Sequence, residues 1–149
     1  CGEGPGPSEI LLMDFQLDPQ LRRDTVFVCA MPRCDVLLMD DARFAWLVLV
    51  PRMPGLSELF DLEPADQSAV MREAAIAGRT LKSLTGATKI NIGALGNVVR
   101  QLHIHVVARK ESDPAWPGPV WGFGTREPYI SRFREGMRLK LAEALGGPT

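Results

Sequence analysis

The sequence predicts an α+β domain in which an antiparallel sheet of about five strands packs with two main helices. Short runs of β-branched and aromatic residues, separated by turn residues, predict the strands. Two longer stretches carry apolar residues every three to four positions and predict the helices. Because short turns favour antiparallel pairing and the helices do not alternate regularly with the strands, this pattern is α+β.

The first half of the chain contains a short helical turn and three of these strands. Asp18 followed by Pro19 places a capping residue before a proline that suits a helix start, which predicts a turn over Pro19–Asp24. The three predicted strands are separated by a turn at residues 31–33 and a polar loop at residues 40–44, and they span Thr25–Ala30, Cys34–Met39 and Trp46–Val50.

The second half contains both main helices and two further strands. A helix is predicted from Pro64 to Leu84, with one apolar face made of Val70, Ala74, Ala77, Leu81 and Leu84. The fourth strand is predicted at Lys89–Ile92, and the segment Val98–Arg109 contains the fifth. A segment rich in proline and tryptophan follows at Asp113–Gly124. The last helix is predicted from apolar spacing at Ile130, Phe133, Met137, Leu141 and Leu145.

Composition excludes several classes of protein. The 149 residues are enough for one domain, and we expect a flexible tail at residues 1–7 before a single domain at residues 8–149. With 17 basic against 18 acidic residues, a general nucleic-acid partner is not expected. The longest apolar runs, such as Ala45–Val50, are far too short to span a membrane. Three sparse cysteines do not suit a disulfide scaffold and favour the reducing cytoplasm.

The only two histidines of the chain, His103 and His105, stand two positions apart. In a strand such residues share one face, together with Gln101, while Leu102 and Ile104 face the other way toward a core. A glycine-rich loop at residues 93–97 precedes this face. Paired imidazoles beside such a loop suit the handling of a phosphate group, since one ring can attack or transfer a proton while the other donates a hydrogen bond.

Three segments together resemble one family. The run Gln101–Val107 (QLHIHVV) resembles the histidine-triad (HIT) motif, with glutamine in place of its first histidine. Upstream, Asn91–Gly93 followed by Gly96–Arg100 resembles the family's Asn-containing strand and its Gly-Gln-Ser/Thr loop. Met39–Asp40 followed by Trp46–Arg52 resembles the family's Asp and its strand that begins with His and ends in Pro-Lys. The Pro/Trp run from Asp113 resembles a bacterial subgroup often labelled as hydrolases of dinucleoside polyphosphates.

The resemblance implies a HIT-like fold whose sheet pairs across a homodimer, and a reaction that needs no metal and no cofactor. His103 would attack the α-phosphorus of a small nucleotide substrate, a nucleoside phosphoramidate or a dinucleoside polyphosphate. Water would then hydrolyse the nucleotidyl-histidine. His105 would donate to a non-bridging phosphate oxygen, and the main-chain carbonyl of Gln101 would hold the second nitrogen of His103, while the Gln101 amide could bond a phosphate or ribose oxygen.

The same resemblance implies a set of substrate contacts. Gly96, Asn97 and the main chain of Val98 would cradle phosphate, Asp40 would accept hydrogen bonds from ribose, and Asn91 would support the leaving group or the loop. Trp46 stands where many members have a further histidine, so it could shape the pocket or stack on a base. The implied site residues are therefore His103, His105, Gln101, Asp40, Asn91, Gly96, Asn97, Val98 and Trp46.

Two other functions stay open at the level of sequence. Gln101, Trp46 and Val98 each replace a group that usually contacts phosphate, so the chain could be a degenerate HIT module that binds purine nucleotides or a protein partner without turnover. A metal-dependent hydrolase would need the two histidines plus a third ligand such as Asp40 or Cys34. Arg52, Arg100 and Arg109 are expected to form a solvated rim, and Trp116 and Trp121 to pack in the core, at a dimer contact or over the cleft.

Overall fold

The computed structural model describes residues 15–146, so the tail predicted at residues 1–7 lies outside the described residues. Three α-helices, one short 3₁₀ turn at Leu59–Asp61 and five strands make up the described chain. The helices are α1 (Pro19–Asp24), α2 (Pro64–Thr85) and α3 (Ser131–Ala144). The strands are β1 (Thr25–Ala30), β2 (Cys34–Met39), β3 (Ala45–Pro51), β4 (Lys89–Gly93) and β5 (Ile104–Arg109).

The five strands form one antiparallel sheet in the order β1-β2-β3-β5-β4. The predicted α+β class with two main helices is therefore confirmed. The bounds predicted for α1, β1 and β2 agree with the structure, whereas β5 begins only at Ile104. Gln101 and His103 thus precede the strand rather than lie within it as predicted, and His105 is the strand's second residue.

Helices α2 and α3 cover one face of the sheet and enclose the larger core with it. Leu102, Ile104 and Val106 all belong to this core, which confirms the predicted inward face next to the histidines. Helix α2 begins with Pro64 at its first position and ends at Thr85, and the following Gly86 caps it with a φ of 68°. The predicted apolar positions Ile130 and Phe133 of the last helix are instead 62% and 58% exposed.

The opposite face of the sheet carries a second, smaller core. Side chains of β3 and β5, including Trp46, Val48 and Val107, pack there against Leu21 of α1. Val120 of the Pro/Trp segment completes this core, so the segment after β5 folds back over the face that carries the histidines. Among residues 15–146, no helix combines the length and the apolar character that crossing a membrane requires.

Candidate active site

The His103 ring is held by the main chain just before β5. Its Nδ1 lies 2.6 Å from the carbonyl oxygen of Gln101. Because a carbonyl oxygen can only accept, Nδ1 must carry the proton and donate it. The Nε2 atom of a neutral His103 ring then has a free lone pair, which is the form of imidazole that can act as a nucleophile.

The His105 ring is held in the opposite way by a side chain of β3. The indole Nε1 of Trp46 lies 3.0 Å from Nδ1 of His105. An indole N–H can only donate, so Nδ1 of His105 must accept and the ring proton must sit on Nε2. The register pairs Val48 with His105 and Trp46 with Val107, which places the indole beside the imidazole on the same face of the sheet.

The two rings touch and are largely buried. Their centroids lie 4.8 Å apart in an edge-to-face arrangement, and each residue is only 6% exposed. Burial, together with the neighbouring His103, lowers the pKa of His105 from 6.5 to about 4. His105 is therefore neutral near pH 7. The predicted shared face is present, but the rings are less exposed than an open cleft implies.

Trp121 of the Pro/Trp segment covers His105. The two ring centroids lie 5.5 Å apart, and Trp121 also packs edge-to-face on Trp46. A Cβ at Gly93 would lie 3.2 Å from the Trp121 ring, so the glycine paired with His105 in β4 leaves the space for the indole. Trp121 thus packs against the smaller core and closes one side of the site. Packing in the core and a position over the cleft were both among the alternatives expected for this residue.

His103 lines a pocket that the glycine-rich loop forms with the segment before the 3₁₀ turn. The pocket has a volume of about 160 Å³ and is bordered by Ser57, Leu95 and Gly96 as well as His103. An adjoining pocket of about 310 Å³ shares those loop residues and adds Asn97 and Arg100. Gly96 has a φ of 71°, a conformation that glycine adopts without strain. An anion-sized space therefore lies next to the His103 ring.

Gln101 also lines the smaller pocket, but the polar atoms of its side chain are bound to main-chain groups of the protein. Its Oε1 accepts from the main-chain N–H of Asp18 at 2.8 Å, and its Nε2 donates to the carbonyl of Gln16 at 2.9 Å. Glutamine at this position fixes the segment before α1 onto the site through its side chain. The same residue fixes His103 through its main-chain carbonyl.

Other residues predicted for the site lie in different surroundings. Asp40 accepts from the N–H of Tyr129 at 2.9 Å and pairs with Arg134 at 3.0 Å, so its carboxylate is bound by a residue just before α3 and by a residue of that helix's first turn. Asn91 accepts from Arg109 at 2.9 Å. Val98 has a 90% exposed side chain, while Trp46 is buried behind His105 and is closed to a stacking base.

Arg109 is a residue whose role the sequence interpretation missed. It is 1% exposed rather than part of a solvated rim. Its guanidinium pairs with Asp113 at 2.8 Å and donates to the carbonyl of Gly118 at 2.7 Å, so it anchors the Pro/Trp segment. Because side chains alternate between the two faces of β5, residue 109 lies on the same face as residues 105 and 107, and this alternation could have indicated its burial.

The arrangement does not favour the metal-dependent alternative. Across residues 15–146, no three His, Cys, Asp or Glu side chains come together in a way that could hold a metal ion. Cys34 packs in the larger core, on the face opposite the histidines, and Asp40 is bound to Arg134. Neither proposed third ligand accompanies the two imidazoles.

Comparisons with known proteins agree with this fold and site. The family model described as "HIT domain" matches residues 20–112. A histidine triad protein from Sinorhizobium meliloti is 46% identical with a TM-score of 0.87, over 89% of this chain and 98% of its own. Histidine triad proteins from Marinobacter aquaeolei (40% identity, TM-score 0.85, 88% of this chain and 96% of that one) and Bradyrhizobium japonicum (37%, 0.85, 88% and 98%) are also similar.

No functionally curated protein matches the chain significantly. The family match covers more than half of the 149 residues, and it includes both histidines and the strands that position them. The chain therefore belongs to the histidine triad (HIT) family.

Proposed function

We propose that this protein is a nucleotide hydrolase or nucleotidyl transferase that uses His103 as its nucleophile and acts on nucleoside phosphoramidates or dinucleoside polyphosphates. The HIT family includes nucleotide hydrolases and transferases. The observation that carries the proposal is the pairing of opposite tautomers. His103 offers a lone pair at Nε2, and His105 offers a proton at Nε2. The centroids of the two rings lie 4.8 Å apart.

The reaction divides into two displacements at phosphorus. In the first, Nε2 of His103 forms a bond to the α-phosphorus, and the leaving group departs with the electron pair of its own bond and takes up a proton from solvent. In the second, water attacks the phosphorus and loses a proton to solvent, and the phosphorus–Nε2 bond breaks with its electron pair returning to His103. Each step is easier than a single direct attack by water. His105 donates to a non-bridging oxygen where negative charge accumulates.

The pockets next to His103 support the assignment of phosphate contacts to the glycine-rich loop. Gly96 borders both pockets, and Asn97 with Arg100 borders the larger one. An amide, main-chain N–H groups and a guanidinium are donors that suit phosphate oxygens. We assign the phosphate cradle to Gly96, Asn97 and the main chain of Val98. We leave out Asp40 and Asn91, because both Asp40 carboxylate oxygens accept from protein groups and Oδ1 of Asn91 accepts from Arg109.

Trapping of the intermediate tests the proposal. The full chain is mixed with an adenosine phosphoramidate or a dinucleoside polyphosphate, quenched at alkaline pH and analysed by intact-mass and peptide mass spectrometry. We expect one nucleotidyl group on the peptide that contains residues 103 and 105, located on His103. The variants His103→Ala and His105→Ala are the matched pair, and only His103→Ala should abolish the adduct.

A second candidate function is nucleotide binding without turnover. Specific observations favour it: no imidazole stands at position 101 or 46, and Val98 offers no hydroxyl group to phosphate. Saturable binding of a purine nucleotide with neither adduct nor product, over a panel of phosphoramidates and polyphosphates, would support this second function and overturn the first.

We also propose that two copies pair through the β4 edge of the sheet. Strand β4 is the last strand on its side, its Ile92 is 45% exposed, and the nearby Val98 is 90% exposed. Unpaired strand edges with apolar side chains favour association. Light scattering coupled to size exclusion should give about twice the 16.4 kDa mass of one chain, and Ile92→Lys should shift it toward the single-chain value.

We place the protein in the reducing cytoplasm. Cys29 and Cys34 are both free thiols and both buried in the larger core. Free buried thiols suit a reducing compartment better than an oxidising one. Fractionation of the source cells with an antibody against the chain tests this placement, and recovery outside the cytoplasmic fraction would contradict it.

A further inference from the structure

Trp46 is hydrogen-bonded to the site through His105. Its indole Nε1 donates to Nδ1 of His105 at 3.0 Å, and its ring lies 5.6 Å from the imidazole. Trp46 is 7% exposed and packs edge-to-face against Phe44 and Trp121. The surrounding aromatic rings leave the indole little freedom to turn, so its N–H direction is fixed by the smaller core.

We propose that Trp46 is a positioning residue that holds His105 in one ring orientation and as the tautomer protonated at Nε2. The inference rests on the proposed function for its catalytic consequence, but the hydrogen bond itself can be tested without any reaction. An acceptor at the position of Trp46 would select the tautomer protonated at Nδ1, and an apolar side chain would select neither. The tryptophan side chain can only donate, so it selects an unprotonated Nδ1.

The consequence concerns the oxygen that His105 faces during the reaction. With Nδ1 bound to Trp46, the ring presents a neutral N–H at Nε2. A flipped ring would turn a carbon toward Trp46, and the protonated nitrogen would move away from its working position. Donors placed in advance at the developing charge contribute more than donors that must first reorient. Trp46 therefore sets the direction of the donor without touching the substrate.

Nitrogen-15 NMR of the tag-free full chain tests the hydrogen bond directly. Because the chain has only two histidines, each ring nitrogen can be assigned at pH 7. We expect Nδ1 of His105 to be unprotonated, Nε2 to be protonated, and a scalar coupling across the hydrogen bond to join Trp46 Nε1 with His105 Nδ1. A His105 ring protonated at Nδ1 would overturn the proposal in the wild-type protein, whatever the variants do.

Two phenylalanine variants form the matched comparison. Trp46→Phe removes the donor, whereas Trp121→Phe removes the other indole that packs on His105 but makes no hydrogen bond to it. We expect the coupling to be lost and a second His105 ring state to appear only in Trp46→Phe. Trp121→Phe should keep the wild-type coupling and tautomer.

Kinetics then test the positioning role. Trp46→Phe should lower kcat about tenfold, because the donor is misdirected, while KM changes less than about threefold. If the wild type shows the coupling but the kcat of Trp46→Phe equals that of the wild type, the positioning role is overturned. If the wild type turns over none of the nucleotide substrates while the coupling is present, the proposed function fails and the Trp46–His105 bond stands.

Discussion

At the scale of single residues, the site depends on which atom of each imidazole carries the proton. Gln101 supplies a main-chain acceptor to His103, and Trp46 supplies a side-chain donor to His105. At Nε2, His103 can thereby act as an acceptor and His105 as a donor. The alternation of side chains predicted that both rings share a face, but no sequence pattern predicted that the indole of Trp46 would face an imidazole nitrogen.

The main chain and the side chain of Gln101 have different partners, and this difference gives the first prediction. Gln101→Ala keeps the carbonyl that holds His103 and removes the amide that binds the Gln16–Asp18 segment. We expect kcat to fall less than about tenfold, whereas His103→Ala should lose at least about a thousandfold. Steady-state kinetics on one phosphoramidate compare the two, and equal losses would show that the amide acts in the reaction.

The buried His105 gives a prediction on pH. Its pKa is about 4 in the folded chain against 6.5 ordinarily, so between these values the unfolded state binds a proton that the folded state does not. The free energy of unfolding must therefore fall as pH decreases from about 6.5 toward 4. We expect a contribution of about 2 kcal/mol between pH 7.5 and pH 5.

Urea unfolding at a series of pH values measures this contribution. His105→Gln removes the titrating ring, so its free energy of unfolding should vary less with pH over the same range than that of the wild type. Equal pH dependence in the two proteins would mean that His105 does not titrate as a buried imidazole.

At the scale of elements, the Pro/Trp segment is anchored to the sheet by one buried arginine. Arg109 binds Asp113 and the carbonyl of Gly118, and its guanidinium lies 5.8 Å from the Trp116 ring. The sequence predicted the strand that ends at Arg109 but assigned its side chain to solvent. That assignment was wrong because the segment that buries Arg109 comes later in the chain and has no regular period to reveal its path.

Removal of the Asp113 carboxylate tests this anchor. Asp113→Ala leaves a guanidinium buried without its charged partner, so we expect a loss of about 3 kcal/mol in the free energy of unfolding. Glu135→Ala serves as the control, since it breaks a surface pair with Arg138 on α3 and should have no measurable effect. Similar losses in both variants would show that the anchor contributes nothing beyond an ordinary surface pair.

At the scale of the whole molecule, the sheet separates a face covered by α2 and α3 from a face that carries the candidate site. The helical spacing of apolar residues in α2 and the alternation of apolar residues in β5 predicted the face covered by the helices. Val70, Ala74 and Leu81 are fully buried there. The face that carries the candidate site was predicted less completely. Contacts such as Gln101 with Asp18 and Asp40 with Arg134 join residues more than 80 positions apart, which local patterns do not specify.

Ligand binding at this face should stabilise the whole fold. A nucleoside monophosphate that binds the folded chain alone raises the free energy of unfolding by about 2.7 kcal/mol at a hundred times its dissociation constant. Thermal unfolding with and without adenosine monophosphate measures the effect. Asn97→Ala should reduce the increase in Tm because Asn97 borders the larger pocket. Ser83→Ala, on the exposed surface of α2, should leave the increase unchanged, and an unchanged increase in Asn97→Ala would place the nucleotide elsewhere.

The contact of two indoles with His105 also has an optical consequence. Trp46 and Trp121 make up two of the chain's three tryptophans, and both pack on the imidazole that touches His103. Tryptophan emission responds to charged and polarisable groups within a few ångströms. Attachment of a nucleotidyl group to His103 would alter those surroundings, so stopped-flow fluorescence of the unlabelled protein could follow formation and decay of the intermediate in real time.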